Sequence, residues 1–224
     1  MLIGTLLFQA DASTKSMNLL SLIMQGGILG ILIFVILIIL SIVAFYIFFE
    51  RYLTINQAAK IDENFMINIR NHVQSGNIEG AKNLCRNADT PIASMVEKGL
   101  SRIGKPLKDI SVAIENVGNL EVSRLENRLA TLATISGAAP MIGFFGTVTG
   151  MIMAFYTMAT ANNITPQALA GGIYQALLTT AFGLLIGIGA FMGYNFLVAK
   201  VQKVIFNMET TSLDFMDLLQ EPAH

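Results

Sequence analysis

The chain has 224 residues, of which 54% are hydrophobic and only 13% charged, with a formal net charge of −1 and a mean hydropathy of +0.61. A soluble domain carries about a quarter charged residues, so this shortage, with long apolar runs, marks a membrane protein. The near-neutral balance gives no footprint for nucleic acid, and the single cysteine excludes an internal disulfide.

Residues 1–25 read as an external segment. Met1 to Phe8 is apolar but short and has no basic flank, so it does not read as a cleaved secretory signal. Met17 to Gln25 is mildly amphipathic and predicts a short helix lying in the membrane interface. Gly26 to Phe49 contains no charged residue and predicts a first transmembrane helix over 26–49, closed by Glu50-Arg51.

Residues 50–131 form a polar stretch that predicts a helical loop. Ala58, Ile61, Phe65, Ile69 and Val73 recur at helical spacing, and Gly76 can end that helix. Asn77 is placed to cap the next helix, and Thr90-Pro91 to start another, with Ile92, Met95, Val96, Leu100 and Ile103 on one face. From Leu107 the helical pattern runs on with no breaker until Gly137, so the second span is expected to project well into the cytoplasm. Cys85 reads as a small residue of a cytoplasmic helix. His72 and His224 have no ligand cluster near them, so no metal site is expected.

From Leu129 to Ala199 there is no Asp, Glu, Lys, Arg or His. That is too long for one span and suits two, over 132–159 and 172–199, joined by an external turn at 160–171 in which Thr165 can cap a helix opening on Pro166. The tail, 200–224, keeps a helical apolar pattern through Leu219. Lys and Arg number one before the first span, eleven from Glu50 to Arg128, none in the second turn and two after Ala199. Positive charge marks the cytoplasmic side, which puts the N-terminus outside and the loop and C-terminus inside.

Gly143, Gly146 and Gly150 share one face of the second span, and Ala176, Thr180, Gly183, Gly187 and Ala190 share one face of the third. Small residues let helices approach closely in lipid, where little hydrophobic force joins them. Pro140 reads as a kink. With the two spans running in opposite directions, Thr147 and Thr180 fall at similar depth. Their hydroxyls can either line a polar path or bond back to their own helices. Proton-coupled machines need an ionisable group within the bilayer, and no predicted span contains an acidic, basic or histidine side chain. If protons are the coupling ion, another subunit brings the carboxylate. No nucleophile, paired carboxylates, phosphate loop or metal cluster appears, so the chain is read as a non-enzyme without a cofactor.

The sequence APMIGFFGTVTGM from Ala139 to Met151 resembles the second-span motif of the MotA/TolQ/ExbB proton-channel family, in its ExbB/TolQ branch. GIYQALLTTAFGL from Gly172 to Leu184 resembles that family's third-span motif. Tyr194-Asn195, Glu50-Arg51 and Gly76-Asn77 are similar to further family positions, and the resemblance covers most of residues 20–205. It implies an all-α inner-membrane protein with three transmembrane helices and long cytoplasmic helical extensions, forming a homopentamer. It further implies an ExbD/TolR-like single-span partner whose transmembrane Asp accepts the proton, with Thr147 and Thr180 lining the path and force passed on through TonB or TolA. The coupling ion would be H+, and the work done would be TonB-dependent outer-membrane transport, with a Tol or gliding motor as the alternative. Gln175 stands where the family commonly has Glu. An amide cannot titrate, so it either serves as an orienting group or marks a differently wired motor. A self-sufficient channel would need an ionisable residue in a span. A membrane scaffold would explain the glycine seams but not the paired threonines.

Overall fold

The computed structural model describes residues 27–60, 64–160 and 166–220. Over these residues the chain forms α1 (Gly27–Ala58), α2 (Phe65–Gln74), α3 (Ile78–Ala88), α4 (Pro91–Leu100), α5 (Leu107–Glu126), α6 (Leu129–Thr160) and α7 (Pro166–Gln220), with no strand among them. Three stretches, Ile28–Ala58, Leu107–Thr160 and Leu169–Gln220, are long and apolar enough to cross a membrane, and the chain is an all-α membrane protein. The predicted interfacial helix at Met17–Gln25 and the Thr165 cap lie outside the described residues.

The chain divides into two compact units, one of residues 1–42 and 135–189 and one of residues 43–134 and 190–224. In the first, Ile33 and Leu37 of α1 and Ala139 of α6 form a buried core, with Leu40, Ile142 and Ile186 packed around it. Phe34 meets Phe182 edge to face, with ring centroids 5.7 Å apart. Large apolar side chains such as Ile28, Ile38, Met141, Phe144, Leu177 and Leu185 remain exposed. In water so many would be untenable, whereas lipid or neighbouring subunits receive them without cost.

The second unit holds the short helices. Asn77 accepts from the Gly80 N–H at 2.9 Å and caps α3. Thr90 accepts from the Ala93 N–H at 3.3 Å and caps α4, with Pro91 in its first turn. Gly76 has φ +72°, the left-handed geometry that lets the chain leave α2 and turn into α3. α4 buries Ile92, Met95 and Val96 beside Ile114 of α5 and Met208 and Phe215 of α7. A β-carbon at Gly99 would strike the Phe215 ring, so this glycine makes room for a side chain that is fully buried.

Two sequence expectations need correction. Ala58 belongs to α1, which continues past Glu50-Arg51, and the next helix begins only at Phe65. The tail is helical as expected, and forms the end of α7, which runs unbroken from Pro166 to Gln220. The helical pattern that leads from Leu107 into the second span is broken at Asn127-Arg128, where Asn127 has ψ 138° and Arg128 has φ 64°.

Charge pairing accompanies that break. Arg128 donates to Glu50 at 2.5 Å, and Glu50 also accepts from Arg51 at 2.6 Å. In a continuous helix the carbonyl of Arg124 would receive the Arg128 N–H. Here it accepts from Arg51 Nη1 at 3.2 Å instead. The Arg51 guanidinium thus takes up one carbonyl that the turn leaves free.

Candidate functional site

The site lies in the first unit, where α6 and α7 pass at van der Waals contact between backbones. A β-carbon on Gly143 would sit 2.8 Å from the Thr179 carbonyl oxygen and 3.1 Å from the Gly183 Cα. One on Gly183 would sit 2.6 Å from the Ala139 carbonyl oxygen and 2.9 Å from the Gly143 Cα. The obstacles are backbone atoms, so neither position accepts any side chain without moving a helix. Gly146 lies against the Thr179 side chain and Gly150 against Ala176. Gly187 leaves room for the Pro140 ring, whose Cγ and Cδ would be 2.5 and 2.7 Å from an added β-carbon.

This close crossing brings the hydroxyls together. Thr180 Oγ1 lies 3.2 Å from Thr147 Oγ1 and 3.0 Å from the Gly143 carbonyl oxygen. Thr147 Oγ1 donates to the Phe144 carbonyl at 2.6 Å. A hydroxyl has one proton and two acceptor lone pairs. Thr147 spends its proton within its own helix and stands as an acceptor. Thr180 has one proton and two acceptors within reach, so it can give it to either. The two readings of these threonines, polar pair or back-bonded helix residue, therefore coexist in one geometry.

Thr179 was not singled out in the sequence, yet it is the most buried polar side chain here, 2% exposed. It donates to the Ala176 carbonyl at 2.7 Å and comes within 3.3 Å of the Gly143 carbonyl. Its position, three after Ala176 and four before Gly183, puts it on the same stripe, and that spacing was the available signal. Gln175 does not join the Thr147–Thr180 pair. It is 6% exposed and faces Gly30 of α1.

On its outer flank Thr147 is the one polar residue of an open recess along α6, lined otherwise by Phe144, Val148, Met151, Ile152 and Phe155. Among the described residues of this unit there is no acidic, basic or histidine side chain, and no cluster suited to a metal ion occurs among the described residues of the chain. The site offers neutral hydroxyls that can donate to a carboxylate or accept from a carboxylic acid.

A sequence profile described as the MotA/TolQ/ExbB proton channel family matches residues 87–210, more than half of the chain. The chain belongs to the MotA/TolQ/ExbB proton channel family. As a family member it is 34% identical over 203 residues to the Tol-Pal system protein TolQ of Haemophilus influenzae, covering 85% of this chain and 89% of that protein. It is 28% identical over 195 residues to the biopolymer transport protein ExbB of Neisseria meningitidis, covering 81% and 87%. To the TolQ of Pseudomonas aeruginosa it is 36% identical over 104 residues, covering 46% and 45%. The threonine pair, Thr179 and the Gly143–Gly183 contact all fall within the matched residues.

Proposed function

We propose that this chain is the stator-like, proton-channel subunit of a bacterial inner-membrane motor of the TolQ–TolR or ExbB–ExbD type. Five copies surround a single-span partner whose transmembrane Asp carries the proton, with the N-terminus outside and the C-terminus in the cytoplasm. Thr147 and Thr180 line the path on this chain's side. The observation that carries the reading is the 3.2 Å Thr180–Thr147 contact in a unit with no charged side chain among its described residues. A carboxyl arriving in the recess beside Thr147 finds a hydroxyl able to serve it in either protonation state. Thr147 accepts from the acid, and rotation of its hydroxyl lets it donate to the carboxylate.

Which machine is served divides along the relatives. The longer and higher identity to a Tol-Pal protein supports envelope maintenance through a TolA-like arm, while the ExbB relatives support TonB-linked outer-membrane transport. Native mass spectrometry of the chain co-expressed with an Asp-bearing single-span protein of the TolR or ExbD type tests the proposal. Five copies carrying an Asp-bearing partner support it. A monomer or dimer without a partner sinks it and favours a membrane scaffold.

A further inference from the structure

Gln175 presents two N–H donors and one carbonyl acceptor, is 94% buried by its 6% exposure, and has no hydrogen-bond partner among the described residues. Leaving a buried amide unpaired costs free energy. Gly30 is shaped around it, since a β-carbon there would collide with Nε2. The amide lines a small cavity of about 20 Å³ between α1, α6 and α7, bounded also by Gly146, Thr149, Gly150, Ala176 and Thr179. One water needs roughly 10–15 Å³ of such space and two to four polar partners.

Those partners are present. Thr149 donates to the Phe145 carbonyl at 2.9 Å and Thr179 to the Ala176 carbonyl at 2.7 Å. Each hydroxyl has committed its proton to its own helix and keeps lone pairs free. We propose that one structural water occupies this cavity, accepting from the Gln175 amide and donating to Thr149 and Thr179. The water takes one of the two N–H donors of the amide and bridges Gln175 and Thr179 of α7 to Thr149 of α6. It sits on the other flank of α6 from Thr147, because residues 147 and 149 point about 200° apart around a helix. All its partners are neutral, so its occupancy does not change with pH, and the site stores a water rather than a proton. Thr179 stands between this site and the threonine pair, since its oxygen also approaches the Gly143 carbonyl that Thr180 reaches.

This inference does not rest on the motor reading, and its test does not read proton flux. The full chain with its partner, in lipid nanodiscs, is imaged at a resolution that shows ordered water. The expected result is one density peak within about 3 Å of the Gln175 amide and of Thr149 or Thr179, unchanged between pH 5.5 and pH 8. In Gln175→Leu the peak is lost. An empty cavity, or a Gln175 amide bonded to a neighbouring subunit, overturns the proposal. A peak that vanishes when sodium is replaced by choline assigns the cavity to a cation and overturns it too. If Gln175→Leu does not assemble, water-edited solid-state NMR of the wild-type protein supplies the test. Rapid magnetisation transfer from water to the assigned Gln175 side-chain amide is expected, and its absence refutes the bound water.

Discussion

Thr180 Oγ1 lies 3.2 Å from Thr147 Oγ1 and 3.0 Å from the Gly143 carbonyl, so one proton is offered to two acceptors on the neighbouring helix. The contact exists because Gly143 and Gly183 let the two backbones touch. A bond of this kind has a net worth of about 1 kcal/mol, which is enough to orient a hydroxyl and small enough to exchange for a partner's carboxyl.

Thr180→Val and Thr147→Val keep the side-chain shape and remove the hydroxyl. Each is expected to lower proton-driven output by roughly tenfold, the equivalent of one hydrogen bond of about 1.4 kcal/mol in the transition state. Assembly should be unchanged, and Thr180→Ser should recover most of the loss. Proton flux in liposomes containing the co-purified complex, with native mass spectrometry to check assembly, measures this. Full activity in both valine variants would remove the channel-lining roles.

Gly143→Ala places a methyl 2.8 Å from a backbone oxygen, whereas at Gly189 an added β-carbon has nothing within 4 Å. The first substitution should destabilise the helix pair by about 1–3 kcal/mol through overpacking. Gly189→Ala should be neutral or slightly stabilising, since alanine is the better helix former. Thermal unfolding in detergent or nanodiscs, followed by circular dichroism, distinguishes the two. Equal behaviour would contradict the backbone contact between Gly143 and Gly183.

Glu50 answers both Arg51, which is 8% exposed, and Arg128, whose backbone is in the left-handed region. Glu50→Gln leaves a nearly buried guanidinium without its counter-charge. The expected loss is about 2–3 kcal/mol of stability in the unit of the short helices, below the 3–5 kcal/mol of a fully buried pair because Glu50 is partly exposed. Faster hydrogen exchange across the Asn127-Arg128 turn would report it. Unchanged exchange there would show that the turn holds without the ion pair.

Burial, with Glu97 nearby, pushes the Cys85 thiol up to about 12 from its ordinary value of 9.0. The thiolate is the reactive form, so maleimide labelling at pH 7.5 should be slow in the folded protein and fast once it is denatured. The same shift has a stability sign. The folded state holds its proton more tightly than the unfolded one, so this contribution is complete below pH 9 and is lost as pH rises from 9 towards 12. Rapid labelling of the native protein at neutral pH would contradict the buried placement.

Much was legible in the residues alone. Charge is absent from Gly26 to Phe49 and from Leu129 to Ala199, and a bilayer leaves a helix as the structure able to satisfy the backbone of such a run. That determined an all-α membrane protein. The spacing of Gly143, Gly146 and Gly150, and of Ala176, Thr180, Gly183 and Gly187, determined which face of each helix could approach another. Periodicity fixes a face, however, and not the neighbour that face meets or how far a helix turns against it. Only the tertiary structure decided that Gly143 meets Gly183, that Thr179 is buried beneath the pair, and that Gln175 turns to Gly30 instead of to the Thr147–Thr180 pair. It also decided the break at Asn127-Arg128. No glycine or proline marks that turn, and the partner of Arg128 there, Glu50, is far away in the chain.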